Sequence, residues 1–146
     1  MISCYTEKNH KLEIVDNIPE TGWISLISPT DDELRSVSMS LDLPMEACRA
    51  ALDLDERSRI EVDDNYRILL VKIPTREDTC DRELYTTIPL AIILTASRVI
   101  TVCSKNTHIL RGFENGSERD FHPGKQSRFV FQILYATARR YLIYLR

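Results

Sequence analysis

Several kinds of functional sequence are missing from the chain. The four cysteines, Cys4, Cys48, Cys80 and Cys103, are scattered and form no Cys-x-x-Cys pair, which excludes a zinc knuckle and a dithiol redox motif. We expect them to be reduced thiols of a cytosolic protein. There are only four glycines, and neither a glycine-rich phosphate loop nor a nucleophile elbow occurs. The residues therefore indicate no enzyme.

Long apolar runs are also missing. The longest uninterrupted one covers residues 88–94, which is far too short to cross a bilayer. The first residues do not have the pattern of a secretory signal peptide. With 146 residues, 43% apolar and 28% charged, the chain has the size and composition of one folded soluble domain, residues 1–146.

A clustered basic face is not evident either, although the charge is uneven. Residues 118–146 carry six basic and two acidic side chains, which leaves thirteen basic and twenty acidic side chains elsewhere. The basic residues of this tail are spread along a helical pattern, without the clustering and interleaved aromatics of a nucleic-acid binder. We expect no nucleic-acid partner.

Hydrophobic periodicity predicts an α/β fold around a central hairpin. Ile60 and Val62 alternate with polar residues, which predicts a strand with one buried face. Residues 63–65 favour a turn, and the apolar run 68–71 predicts a second strand in the middle of the sheet. We expect a mixed β-sheet built largely from hairpins and flanked by helices. Further strands are predicted at residues 1–5, 11–15, 23–27, 83–95 and 98–103.

Two connections of this sheet carry specific expectations. Residues 75–82 are highly charged and predict an exposed loop. Pro89 cannot donate a hydrogen bond to a neighbouring strand, so the strand that contains it should have a bulge or lie beside an edge at that point.

Helix signals follow the strands. Thr30 and Glu33 form a capping-box pattern before an amphipathic helix, Leu43-Pro44 begins a second helix, and residues 107–113 predict a short one.

Residues 125–146 predict one long helix with two apolar stripes, which needs two neighbours. No residue typical of a helix end follows, so we expect the natural protein to continue past Arg146. The stripes are Val130, Ile133, Leu134, Thr137, Tyr141 and Tyr144 on one side, and Phe131, Tyr135, Ala138 and Leu142 on the other.

Two groups of carboxylates could be mistaken for metal sites. Residues 31–33 are all acidic, but helix capping accounts for them completely. Asp53, Asp55 and Glu56 stand in a short connection before the central hairpin. They form either a solvated loop, which we favour, or an edge that attracts cations.

Other residues with possible functional chemistry have simpler explanations. His10, His108 and His122 lack the paired spacing of a metal or catalytic site, so we interpret them as isolated surface histidines. Trp23 is more typical of a core residue than of a ligand platform. The residues alone therefore nominate no catalytic, cofactor-binding or metal-binding side chain.

Two segments resemble the CorA family of magnesium transporters. Residues 23–33, WISLISPTDDE, are similar to the family's Trp-Ile-x-Leu-x-x-Pro-Thr-x-x-Glu motif. Residues 57–70, RSRIEVDDNYRILL, are similar to its Arg-Pro-Lys-Ile-Glu-x-Tyr-x-x-Tyr-x-Phe-Leu run. The order and spacing agree, and residues 90–103 and the tyrosine-rich final helix follow the family's course.

The resemblance implies the cytoplasmic regulatory domain of a divalent-cation transporter, truncated before the stalk and the membrane helices. Its partners would be the missing part of its own chain, other subunits of a homopentamer, and divalent cations at the cytoplasmic face of the membrane. Mg²⁺ or another divalent cation is implied for the whole protein and no cofactor for the isolated domain. The alternative is a freestanding α/β domain that binds a protein or a small ligand.

One departure from the family concerns the regulatory metal. Members carry an acidic pair in the helix before the Arg-Pro-Lys run, which helps to bind magnesium between subunits. Arg49 and Ala50 occupy that place here; arginine repels a divalent cation and alanine offers no oxygen ligand. Asp53 and Asp55 lie one turn away as possible substitutes. We expect no tight magnesium binding by the isolated chain.

Overall fold

The protein is described by a computed structural model that covers residues 1–78 and 83–145. Cys80, part of the predicted loop 75–82, and Arg146 lie outside the described residues. The strands are β1 (Ile2–Lys8), β2 (Lys11–Val15), β3 (Gly22–Ile27), β4 (Arg59–Val62), β5 (Arg67–Asp78), β6 (Glu83–Leu94) and β7 (Arg98–Cys103). The helices are α1 (Asp31–Leu41), α2 (Met45–Arg49), which continues into a single 3-10 turn (Ala50–Leu52), α3 (His108–Glu114) and α4 (Gln126–Tyr144).

The strands form one mixed sheet of seven in the order β2-β1-β3-β7-β6-β5-β4. Neighbouring strands are antiparallel except for β3 and β7, which pair in parallel from Gly22 opposite Arg98 to Ile27 opposite Cys103. Four of the antiparallel pairs are hairpins between consecutive strands: β1 with β2, β4 with β5, β5 with β6, and β6 with β7. The predicted fold class, a mixed sheet built largely from hairpins with flanking helices and a long final helix, is confirmed.

The helices cover the two faces of the sheet, and each face has its own core. Alternate residues of a strand point to opposite faces, so Ile24 and Leu26 pack with α1 and α2, whereas Trp23 packs with α3 and α4. Trp23 is completely buried. The prediction that it is a core residue is confirmed.

Local sequence explains the tight connections at the start of the chain. Asn9 and His10 both have positive φ, 51° and 64°, which matches the twist that a two-residue hairpin turn needs. β1 extends to Lys8, three residues beyond the predicted end, because its pairing with β2 continues to Lys11. Gly22 has a φ of 143°, and a Cβ there would lie 2.1 Å from the carbonyl oxygen of Tyr5. Only glycine fits this position.

The prediction that Ile60 and Val62 form a buried face is wrong. Their exposed fractions are 70% and 73%. β4 is the edge strand, and Ile60 pairs with Leu69 on the sheet face that carries α3 and α4. The apolar alternation identified the strand correctly, but no described helix reaches over it. The second strand of this hairpin, β5, is next to the edge and not in the middle of the sheet.

The prediction of an exposed loop at residues 75–82 is wrong for residues 75–78. β5 continues to Asp78, which pairs with Glu83 of β6, and Thr75 is buried. β5 and β6 have twelve residues each, whereas β7 has six, so the two long strands extend past the sheet as a paired arm.

Pro89 lies where the strand has a neighbour on one side only. It pairs with Lys72 of β5, while the pairing of β6 with β7 begins one residue later, at Leu90 opposite Cys103. The expectation of a local edge at Pro89 is confirmed.

Candidate functional site

The segment where the resemblance places a regulatory metal is the end of α2 and the 3-10 turn. Arg49 is exposed, and its Nη2 donates a hydrogen bond of 3.0 Å to Oδ1 of Asp31 in the first turn of α1. This ion pair joins the two helices at the surface, where such pairs contribute about 0–1 kcal/mol. Ala50 is half-buried. The pair places a cation where a divalent metal ion would need oxygen ligands.

The carboxylates that follow are engaged locally. Oδ1 of Asp53 accepts the backbone N–H of Asp55 at 3.0 Å, the pattern of an Asx turn. Glu56 is hydrogen-bonded to the guanidinium of Arg59. Lys72 adds another cation nearby, since its Nζ donates to the carbonyl of Leu54 at 3.0 Å. Over residues 1–78 and 83–145, no group of three or more His, Cys, Asp or Glu side chains is arranged to hold a metal ion.

The acidic start of α1 forms the predicted cap. The backbone N–H of Glu33 donates to Oγ1 of Thr30 at 3.2 Å, and the backbone N–H of Thr30 donates to Oε1 of Glu33 at 2.9 Å. The same Oε1 lies 3.1 Å from the amino group of Met1. These donors lower the pKa of Glu33, the N–H of Thr30 most strongly. The capping explanation of residues 31–33 is confirmed.

The outward side of α4 exposes several large apolar side chains. Its sheet side is buried, whereas the far side exposes residues at alternating steps of four and three. That spacing is typical of a seam that packs against another helix. No described element covers this seam. It is called the α4 outer stripe here and consists of Phe131, Tyr135, Ala138, Leu142 and Leu145.

No helix in the described part of the chain is both long enough and apolar enough to cross a membrane.

The seven-stranded sheet with helices on both faces can be compared with known proteins. A family described as CorA-like Mg²⁺ transporter protein matches residues 20–146. The chain belongs to this family. No curated protein sequence matches the chain.

Solved structures of the CorA-like family share the fold. The complete CorA magnesium transporter of Methanocaldococcus jannaschii is 20% identical with a TM-score of 0.78, and the match covers 99% of this chain and 47% of that one. The soluble domain of the same protein gives 20% identity and a TM-score of 0.79, covering 99% and 60%. The ZntB cytoplasmic domain of Vibrio parahaemolyticus RIMD 2210633 gives 12% identity and a TM-score of 0.75, and the match covers 98% of this chain and 59% of that one. The chain thus spans about half of a complete CorA.

Membership of the CorA-like family does not bring a metal site to Arg49 and Ala50. The structure keeps Asp53 and Asp55 at the surface after the 3-10 turn, and the oxygen of Asp53 is already bonded to the backbone. The expectation that no side chain of this chain is a metal ligand stays a prediction.

The interpretation of His122 as an isolated surface residue is wrong. Its Nδ1 lies 2.6 Å from Oε1 of Glu7, and both side chains are three-quarters buried. They border an open recess of about 760 Å³ together with His10 and Lys125. Glu7 and His122 are 115 positions apart in the sequence, so no local spacing could have indicated this contact.

The three cysteines within the described residues behave as structural residues. Cys4, Cys48 and Cys103 are free and buried. Burial raises the pKa of Cys48 to about 11 and that of Cys103 to about 11, so these thiols stay protonated and unreactive at neutral pH.

Proposed function

We propose that residues 1–146 form the cytoplasmic control domain of a CorA-like transporter of divalent cations. The observation that most supports this is the match of 99% of the chain to the soluble domain of an archaeal CorA, together with the family match over residues 20–146. The pore would be formed by another part of the longer protein, and the whole would be a homo-oligomer of the cell membrane. The domain itself would conduct no ions and catalyse no reaction.

The α4 outer stripe supports a mechanical role for the domain. Four residues of α4 and Leu145, the residue that follows the helix, are exposed at helical seam spacing. Exposed apolar stripes usually mark an interface. In the assembled transporter this stripe would pack against a helix of the remaining chain. A movement of the domain would then be transmitted to the pore through α4.

Control by a cation bound at Arg49 and Ala50 is not part of this proposal. The guanidinium of Arg49 is paired with Asp31 at 3.0 Å. Its positive charge would repel a Mg²⁺ ion, which needs oxygen ligands. Calorimetry of the 146-residue chain with Mg²⁺ is expected to give weak binding or none. Tight binding that persists when Asp53 and Asp55 are both replaced by Asn would show that the ligands lie elsewhere in the domain.

The transport function is tested with the full-length protein in sealed liposomes that contain a fluorescent Mg²⁺ indicator. We expect uptake of Mg²⁺, Co²⁺, Ni²⁺ or Zn²⁺ that empty liposomes do not show. We further propose that cations on the cytoplasmic side close the pore through ligands outside the segment of Arg49 and Ala50, which the assembled full-length protein would complete. Uptake should therefore decrease when that side is supplied with the same cation. Absence of uptake for all four ions would contradict the proposal.

A second candidate, a freestanding interaction domain, is supported by the same exposed stripe. It predicts that the protein binds another protein through α4 in the absence of any membrane part. Cation uptake by the full-length protein would exclude it.

A further inference from the structure

A polar recess of about 220 Å³ lies between the arm of β5, the start of α3 and the end of α4. Its lining includes Arg76 of β5, Asn106, His108 and Arg111 around α3, and Tyr144 of α4. His108 also borders an adjoining small recess whose wall contains Arg139 and Arg140. Basic side chains from three elements therefore lie near His108, whose own side chain is exposed to solvent.

Two of these cations, Arg111 and Arg140, form no close ion pair in the described part of the chain, although the charges of Arg111 and Glu114 attract each other. Within the described ranges, no ion pair joins Arg111 or Arg140 to a carboxylate at 4.0 Å or less. The guanidinium of Arg140 lies 5.9 Å from the ring centre of Tyr144. Two carboxylates are near: Glu118 borders the adjoining recess, and Glu114 is hydrogen-bonded to Ser25 at 3.4 Å. Neither forms an ion pair with the arginines.

The clustered positive charge changes the pKa of His108. Burial lowers the pKa of His108, and the positive charges of Arg140, Arg111 and Arg76 lower it further. The same region therefore disfavours one more cation. By the same electrostatics it favours an anion.

We propose that this recess binds a phosphate-bearing anion. The planar guanidinium of arginine offers parallel N–H donors whose geometry matches phosphate oxygens. The amide of Asn106 lies in the same lining and supplies a neutral hydrogen-bonding group. The volume of about 220 Å³ accommodates a phosphate group, and the recess is open to solvent. The anion could be free phosphate, the phosphates of a nucleotide or the headgroup of a lipid.

This binding site goes beyond the proposed transport function and does not depend on it. Phosphate can be titrated into the 146-residue chain whether or not the longer protein conducts cations. Failure of either test would leave the other standing.

The test is a titration of the 146-residue chain with inorganic phosphate at constant ionic strength, followed by NMR of the His108 ring. We expect saturable shifts and a rise in the pKa of His108 when phosphate is bound, because the anion stabilises the protonated ring. Arg111→Gln should weaken binding about tenfold or more, as expected for the loss of a charge-assisted hydrogen bond. Arg140→Gln changes the adjoining recess and removes a positive charge that acts on His108; it is a second variant in case the first does not fold.

The matched control is Arg35→Gln, which removes the same charge from exposed α1 on the opposite face of the sheet. It should leave phosphate affinity and the pKa of His108 unchanged. Equal weakening in the Arg35 and Arg111 variants, or no saturable binding of phosphate to the parent chain, would overturn the proposal.

The source of the phosphate is distinguished by two further probes, adenosine triphosphate without metal and vesicles that contain phosphatidic acid. A nucleotide site predicts that adenosine triphosphate competes with inorganic phosphate at lower concentration. A headgroup site predicts co-sedimentation with the acidic vesicles that phosphate reverses and Arg111→Gln reduces. If any of these probes binds the Arg111 and Arg140 variants as strongly as it binds the parent chain, that result would contradict a site in this recess.

Discussion

At the scale of single residues, the interaction between Trp23 and Thr101 determines how two strands of the sheet fit together. The indole Nε1 donates a hydrogen bond of 2.9 Å to Oγ1 of Thr101, and both residues are completely buried. Trp23 also stacks on Tyr5 at 4.8 Å. The bond connects β3 to β7, the parallel pair at the centre of the sheet.

Thr101→Val is expected to destabilise the chain by about 1–3 kcal/mol, because the valine keeps the shape but leaves the indole N–H buried without a partner. Trp23→Phe removes the other partner and also creates a cavity. In urea unfolding, the double variant should be more stable than the sum of the two losses predicts, by about 0.5–3 kcal/mol. Strictly additive losses would contradict a hydrogen bond between these two side chains.

Glu33 gives the start of α1 a dependence on pH. Its pKa is lowered from the usual 4.5, chiefly by the backbone N–H of Thr30. A carboxyl with a lowered pKa stabilises the folded state above its unfolded pKa, and this stabilisation is lost as the pH falls through the folded value.

The free energy of unfolding should therefore fall as the pH drops below 4.5, and Glu33→Gln should make that fall less steep. Urea unfolding over a pH series measures both. Glu20→Gln, a change at another exposed glutamate, is the control and should leave the slope unchanged. An identical slope in the parent chain and the Glu33 variant would show that the cap does not titrate as described.

At the scale of elements, α4 combines two faces with opposite properties. Phe129 is completely buried against the sheet, whereas Phe131, two residues later, is 71% exposed. Replacing each phenylalanine by alanine removes the same atoms from the same helix. The two substitutions therefore compare the two faces directly.

Phe129→Ala should cost about 3–5 kcal/mol, as large-to-small changes in a core do. Phe131→Ala should change the stability of the 146-residue chain by less than about 0.5 kcal/mol. Thermal and urea unfolding of both variants measure the difference. A loss above about 2 kcal/mol for Phe131→Ala would mean that the α4 outer stripe is already packed within this chain.

Elements were predictable from sequence where the pattern was local. The capping box at Thr30, the strands that end and begin near residues 95 and 98, and the helix after Thr107 depend on neighbouring residues, and all were found. The burial of Ile60 and Val62 was predicted wrongly because alternation identifies a strand but not what covers it. Only the position of β4 at the sheet edge decides that.

Contacts between distant segments gave no sequence signal. The pairing of Glu7 with His122 and the gathering of basic residues around His108 both join segments far apart in the chain. The parallel pairing of β3 with β7 likewise brings together strands that are separated in the chain by α1, α2, the 3-10 turn and three strands. The absence of an acidic pair at Arg49 and Ala50, in contrast, was readable from the sequence itself.

At the scale of the whole molecule, the fold is a two-faced sheet whose last helix remains half uncovered. The cores on the two faces account for the folding of the chain, and the α4 outer stripe is left for a partner. Family membership supports a transporter as the larger protein. The central claim is that the domain controls that transporter through α4.

The most direct measurement of this claim is Mg²⁺ uptake by the full-length protein in liposomes, with Mg²⁺ varied on the cytoplasmic side. Phe131→Asp disrupts the stripe, and Met39→Asp, on the exposed side of α1, is the matched control. We predict that cytoplasmic Mg²⁺ decreases uptake in the parent protein and in the Met39 variant but not in the Phe131 variant. An unchanged response in the Phe131 variant would contradict control through α4, and the absence of any uptake would contradict the account as a whole.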